Sequence, residues 1–258
     1  MTESLFVPQG PNTWMPTDAS RGPWTPDALH GGPIAALLAR VAQTLVDDLQ
    51  PARITVEITR PVPIAPLLVT ASVTRPGRRV RGVAASMTAD GKEVATASMV
   101  AIRTAAVPAP EQPMVAPPPG PETGVGPSFG SGGDYLAFHN TGVEHRFVRG
   151  NLDIPGPATD WIRLRLPVVP DDAITPVDRV CAAADFGNGV SRIIDFEQLL
   201  FINPDLTIYL HRLPVGEWVC LDAVTRIEPH GIGLAVSDLY DEHGPIGRSL
   251  QSLVIDAR

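Results

Sequence analysis

Ile54-Thr-Val-Glu-Ile-Thr-Arg60 and Leu206-Thr-Ile-Tyr-Leu-His-Arg212 are two versions of one short segment within a single chain. Both alternate apolar and polar residues, the period-two pattern of a half-buried β-strand. A second pair follows them, Leu67-Leu-Val-Thr-Ala-Ser-Val-Thr-Arg75 and Trp218-Val-Cys-Leu-Asp-Ala-Val-Thr-Arg226. Further on, Gly82, Ala84, Ser86 and Asp90 meet Gly233, Ala235, Ser237 and Asp241. Three segments recur in one order, with a spacing constant to within one residue. That pattern predicts an internal duplication of a unit of about 100 residues.

The surroundings of each copy are also alike. Pro33 to Leu49 places Ile34, Leu37, Leu38, Val41, Leu45 and Leu49 on one helical face. Thr175-Pro176 reads as an N-cap and first-turn pair, after which Val177, Val180, Cys181 and Ala184 recur at helical spacing. Asp90-Gly91 and Asp241-Glu-His-Gly244 are hairpin signals between the last two strands of each copy. Each unit reads as a helix first and antiparallel strands after it, an α+β layer arrangement made twice. Between the copies, Ala105 to Gly133 holds eight Pro and six Gly, a composition with little to pack. The expected organisation is an N-terminal unit over 1–104, a linker over 105–133 and a C-terminal unit over 134–258.

Composition bounds the function. The 258 residues are 44% hydrophobic and 19% charged, enough to bury a core. No apolar run approaches the ~18 residues of a membrane span; the run Ile34 to Ala39 stops at Arg40. The N-terminus has neither a basic region nor a long apolar stretch, so no signal peptide is expected and the expected compartment is the cytoplasm. Cys181 and Cys220 fit buried free thiols in a reducing environment. The net charge of −8 argues against nucleic acid as a partner. The six His are scattered and neither Cys has a ligand-spaced partner, so no metal is expected; no phosphate-binding glycine loop is present either.

Several residues are candidates for chemistry. Asp185 lies four residues after Cys181 in the uncharged stretch Val180 to Phe186, hence on or beside the apolar helix face. A carboxylate there is costly unless hydrogen-bonded. It reads equally as an active-site group or as a cap bonded to the turn Gly187-Asn-Gly189. His30-Gly31-Gly32-Pro33 opens the first helix, where free N–H groups can hold an oxyanion, or it is an ordinary turn. Gln251 alternates with Leu253 and Ile255 in the last strand. Asn203 precedes Pro204 and reads as a turn residue or a site amide. Gly126-Pro-Ser-Phe-Gly130 imitates a serine-hydrolase elbow, but Ser128 stands in the linker, without the strand and helix that motif needs. Arg78-Arg79-Val80-Arg81 reads as a solvated hairpin able to meet phosphates.

These residues carry a resemblance. The helix opening His30-Gly31-Gly32, the duplication, and Ile208-Tyr-Leu-His-Arg212 followed by Gln251 resemble the double hotdog acyl-CoA thioesterases, with bacterial acyl-CoA thioesterase II the best-known relative. Actinobacterial thioesterase-like proteins are more similar still. The likeness covers nearly the whole chain outside the linker. It implies a tandem hotdog, each unit a curved antiparallel sheet wrapped around one long helix. It also implies a site of three residues: an Asp on the second helix at Asp185, a hydroxyl residue before the next strand at Asn203, and a Gln on the last strand at Gln251. Asn203 stands where the family commonly has Thr or Ser, and Thr207 lies further along the strand. His30, Gly31 and Gly32 match the family's first helix opening and would serve the oxyanion. The second helix opening has no glycine pair, which implies one site per chain built from both units. The implied reaction is hydrolysis of an acyl-CoA, or a related acyl thioester, by a water activated at Asp185, without a cofactor. A homodimer or larger assembly is implied as well. Two other functions stay open: a non-catalytic acyl-thioester binder, which Asn203 favours, and a hydratase or dehydratase, which the lack of His in the second helix disfavours.

Overall fold

The computed structural model describes residues 3–46, 48–110, 113, 115–127, 136–194 and 198–257. Ser128 of the hydrolase-like motif lies outside them. The first half runs β1 (Phe6–Gly10), β2 (Thr13–Pro16), α1 (Gly31–Gln43), β3 (Gln50–Ile58), β4 (Leu67–Arg75), β5 (Val80–Ala89) and β6 (Lys92–Ile102). The second runs β7 (Val143–Arg149), β8 (Ala158–Leu164), α2 (Pro176–Ala184), α3 (Gly187–Val190) and β9 (Leu199–Ile202). It continues through β10 (Asp205–Leu210), β11 (Trp218–Ile227), β12 (Ile232–Asp241) and β13 (Gly244–Ala257).

All strands belong to one antiparallel sheet, ordered β1-β2-β4-β5-β6-β3-β10-β13-β12-β11-β8-β7, with β9 added beside β13. That order reads as a mirror image about the β3–β10 pair. Ile54 faces Ile208 and Val56 faces Leu206 across it, so the two copies of the opening motif are the centre of the sheet. A helix packs on the inner face of each half, and α1 and α2 pack on each other. Ile34, Leu37 and Leu38 of α1 and Val177, Val180 and Cys181 of α2 are buried in the shared core. Burial of each large side chain contributes roughly 2 kcal/mol.

The structure corrects the sequence reading in four places. Two strands precede each helix, which was expected to come first. β1 and β2 turn at Asn12, whose φ is +56°, and both carry a proline, which weakens a strand signal. α1 ends at Gln43 and not near Leu49; Leu45 and Leu49 reach the core from the turns that follow. The second pair of repeat segments matches one residue differently. Leu67 and Val69 face the core in β4, as Val219 and Leu221 do in β11, so Leu67 corresponds to Val219 and not Trp218. A slip of one residue would turn every side chain to the other face. Lastly, part of the Pro/Gly stretch packs against the second unit. Val125 bridges to Phe147, and the Trp161 indole N–H donates to the Pro119 carbonyl at 2.7 Å, which buries Trp161 completely. Both cysteines are free and buried, and burial pushes both thiols upward. Among the described residues, no helix is long and apolar enough to cross a membrane.

Candidate active site

Asp185 is the C-cap residue of α2, and its carboxylate is also the hub of a network. Thr175 starts that helix: its hydroxyl accepts from the Asp178 N–H, while the Asp178 carboxylate accepts from the Thr175 N–H. Ten residues later, past the nine of the helix, Asp185 ends it facing α1. The side chain is 4% exposed. Oδ1 accepts from Asn203 Nδ2 at 2.8 Å and from Gln251 Nε2 at 3.2 Å. Oδ2 lies 2.9 Å from His30 Nδ1. Gln251 also donates to the Asp185 carbonyl at 3.0 Å and accepts the Asn188 N–H at 3.0 Å. Helix end, loop and last strand are thus tied at one carboxylate, and the first unit reaches it through His30.

The first unit's approach depends on glycine. A Cβ at Gly31 would sit 2.6 Å from Asp185 Oδ2, and one at Gly32 would sit 2.7 Å from the Ala182 carbonyl oxygen. No larger residue lets the start of α1 come this close to α2. His30 is the N-cap of α1, with Nδ1 placed 3.1 Å from the Gly32 N–H. One ring nitrogen cannot accept that N–H and donate to Asp185 together. With the proton on Nδ1, His30 donates to the carboxylate and the Gly32 N–H is released.

Asp185 opens into a cavity of about 680 Å³ between the two units. Its walls are largely apolar, from Trp24, Ile34, Ile58, Val190, Phe201 and Val254. The Trp24 and Phe201 rings meet edge to face at 5.0 Å. His30, Gly31 and Asn203 line it, whereas Gly32 and Gln251 stand behind the wall. Sequence reasoning missed the other polar members: Asn188, His139, Asn140, His145 and Arg60. His145 Nδ1 lies 2.5 Å from Oδ2 of the fully buried Asp160. Burial pushes the Asp160 carboxyl up against the opposing pull of His145. The Phe186 ring lies 4.6 Å from His30 and 4.8 Å from His145. Burial, then repulsion from His30 and His145, lowers His139 to about 4. Thr207 is not in this wall: its hydroxyl bonds Thr55 at 3.2 Å. Arg81 of the basic hairpin is bound to Asp48 and to the Leu45 carbonyl. Among the described residues, no His, Cys, Asp and Glu cluster could hold a metal.

The mirror-related position in the first unit is a different object. Counted from the two N-caps, His30 and Thr175, Arg40 stands where Asp185 stands. Ile54 faces Met99, and continuing the Thr207–Leu250 register makes Leu206 face Gln251, so Met99 replaces the amide. Arg40 binds Asp178, at 2.6 Å, and Asp172. An ion pair therefore fills the second copy of the site, and among the described residues only the copy at Asp185 has a carboxylate at its centre.

The comparisons agree with this architecture. Two family models match, the acyl-CoA thioesterase N-terminal domain over residues 20–102 and the acyl-CoA thioesterase C-terminal domain over residues 109–255. No curated protein matches the chain. Among solved structures, a hot dog fold protein of Alicyclobacillus acidocaldarius aligns with a TM-score of 0.75 at 17% identity, over 95% of this chain and 93% of that one. The tesB protein of Mycobacterium avium subs paratuberculosis aligns at 0.70 and 16% identity, over 97% and 95%. Acyl-CoA thioesterase II TesB2 of Mycobacterium marinum aligns at 0.66 and 17% identity, over 98% and 95%. These likenesses establish the tandem hotdog fold. With one domain model matched on each half, the chain belongs to the acyl-CoA thioesterase family.

Proposed function

We propose that Asp185 is the general base of acyl-CoA hydrolysis in this chain. One observation carries the reading: a buried carboxylate, held from both units, stands in the wall of an otherwise apolar cavity. Asp185 takes a proton from a water as the water oxygen attacks the thioester carbonyl carbon. The carbonyl oxygen becomes negative and is stabilised by the N–H groups at the start of α1, where Gly31 lines the cavity. The C–S bond then breaks, and Asp185 returns its proton to the leaving thiolate. No cofactor takes part in these steps. His30 donates to Oδ2 and Asn203 to Oδ1, which fixes the carboxylate between them.

The acyl chain fits between Trp24, Phe201 and Ile34, and Arg60 offers a cation at the exposed rim for an anionic carrier. β1 and β7 end the sheet, and among the described residues their outer edges are covered in part, by Val168 at Phe6 and by Val125 at Phe147; the rest of each edge supports a homodimer or larger assembly. Two buried free thiols support a reducing, cytoplasmic setting. The test is release of free thiol from acyl-CoAs of increasing length. Wild type turns over and Asp185→Asn does not; binding without turnover by wild type would favour the acyl-thioester binder instead.

A further inference from the structure

The family's hydroxyl residue is replaced here, and the amides of Gln251 and Asn203 near Asp185 are engaged except for the Asn203 carboxamide oxygen. Gln251 uses Nε2 on the Asp185 carbonyl and Oδ1, and Oε1 on the Asn188 N–H. Asn203 uses Nδ2 on Asp185 Oδ1 and on the Asp205 carbonyl. Thr207 is turned to Thr55. None of these bonds orients a water in the cavity.

Asn188 differs from them. It is 6% exposed and lines the cavity. Its backbone N–H is bound to Gln251, yet its carboxamide has no hydrogen-bond partner among the described residues. Neither of its polar side-chain atoms is sealed inside the protein without a partner, so the carboxamide is accessible to a water or a ligand in the cavity. Asn188 follows Asp185 by three residues along the turn from α2 into α3, so the two side chains share a face about 5 Å apart along the axis. Its backbone N–H is tied, through Gln251, to the Oδ1 side of the carboxylate, while His30 at the start of α1 meets the Oδ2 side. A carboxamide on the Oδ1 side is placed to meet the water rather than the oxyanion.

We propose that Asn188 is a further catalytic residue, whose carboxamide holds the attacking water together with Asp185. This rests on the hydrolytic reading above. The carboxamide oxygen accepts the O–H of the water that does not point at Asp185, which leaves an oxygen lone pair directed at the thioester carbon. As the bond forms, the other proton passes to Asp185, and Asn188 keeps its hydrogen bond to the remaining O–H.

The test is steady-state kinetics of wild type, Asn188→Leu and Asn188→Ser on one acyl-CoA that wild type hydrolyses. The side chain bonds no other protein group, so the leucine variant keeps the fold, which its melting temperature checks. The expected result is a fall in kcat of about a hundredfold in Asn188→Leu with KM within about twofold. Asn188→Ser, which can still bond a water, recovers at least about tenfold of it. An unchanged kcat, or a loss confined to KM, would overturn this role while leaving the hydrolase intact. If the leucine variant melts early, the serine variant decides: wild-type kcat there together with wild-type kcat in Asn188→Ala overturns the role. Absence of turnover by wild type on every acyl-CoA overturns the hydrolytic reading and this role with it.

Discussion

Gly31 shows how much a single residue decides. Its missing Cβ lets α1 begin against Asp185, at a place where a methyl group would lie 2.6 Å from the carboxylate. Gly31→Ala therefore pushes the two units apart at the site. We expect kcat to fall about a hundredfold, as a displacement near 1 Å does, with the fold retained. Thiol release measured beside a thermal melt checks this. His139 gives the pH dependence. Its value of about 4 in the fold lies below the ordinary 6.5, so between these limits the unfolded chain binds more protons. The stability it permits is complete above pH 6.5, falls as pH drops, and levels off below about 4, a loss of at most about 3.5 kcal/mol. His139→Gln flattens that part of the profile, as urea titrations across the interval would show. Asp185, Asn203 and Gln251 could be named from the sequence only through the family resemblance, and His30 and Gly31 through the helix opening that is part of it. Asn188 could not be named: Gly187-Asn-Gly189 looks like a turn, and only the folded chain shows that Asn188 lines the cavity.

At the scale of elements, the two helices began alike and diverged. His30 caps α1 and Thr175 caps α2, and from those caps Arg40 and Asp185 occupy equivalent places. The carboxylate serves the site, and the guanidinium closes its mirror image by binding Asp178, which is fully buried. Arg40→Met leaves that carboxylate with the Thr175 N–H but without its counter-charge. We expect a loss of about 3 kcal/mol in stability, since breaking a buried pair leaves an uncompensated charge, and an unchanged kcat. Denaturant unfolding and thiol release on the same sample separate the two effects. The strands of the repeat were legible through alternation, down to their hairpin turns at Asp90-Gly91 and Asp241 to Gly244. The four strands ahead of the helices were not. Pro8 and Pro16 interrupt the first two, and β8 is buried along both faces, which removes the alternation. The covering of Trp161 by Pro119 was hidden because a proline-rich stretch declares what it cannot form and not where it lies.

Over the whole molecule, one sheet joins the units and one cavity draws on both. His30 and Gly31 come from the first half, while Asp185, Asn203 and Gln251 come from the second. Neither half alone holds the site, so residues 1–104 and 105–258 produced separately should show no turnover, each assayed for thiol release. Activity in the second half by itself would mean that the first unit does not complete the oxyanion site. The family and the fold follow from the duplication and the matched domains; the central claim concerns which group activates water. It is tested most directly by free-thiol release from a series running from acetyl-CoA to stearoyl-CoA, with wild type and Asp185→Asn compared in parallel. The expected result is turnover by wild type that varies with chain length, and a loss of at least about a thousandfold in the variant with substrate binding retained. Equal turnover by both proteins would contradict the assignment of Asp185 as the base.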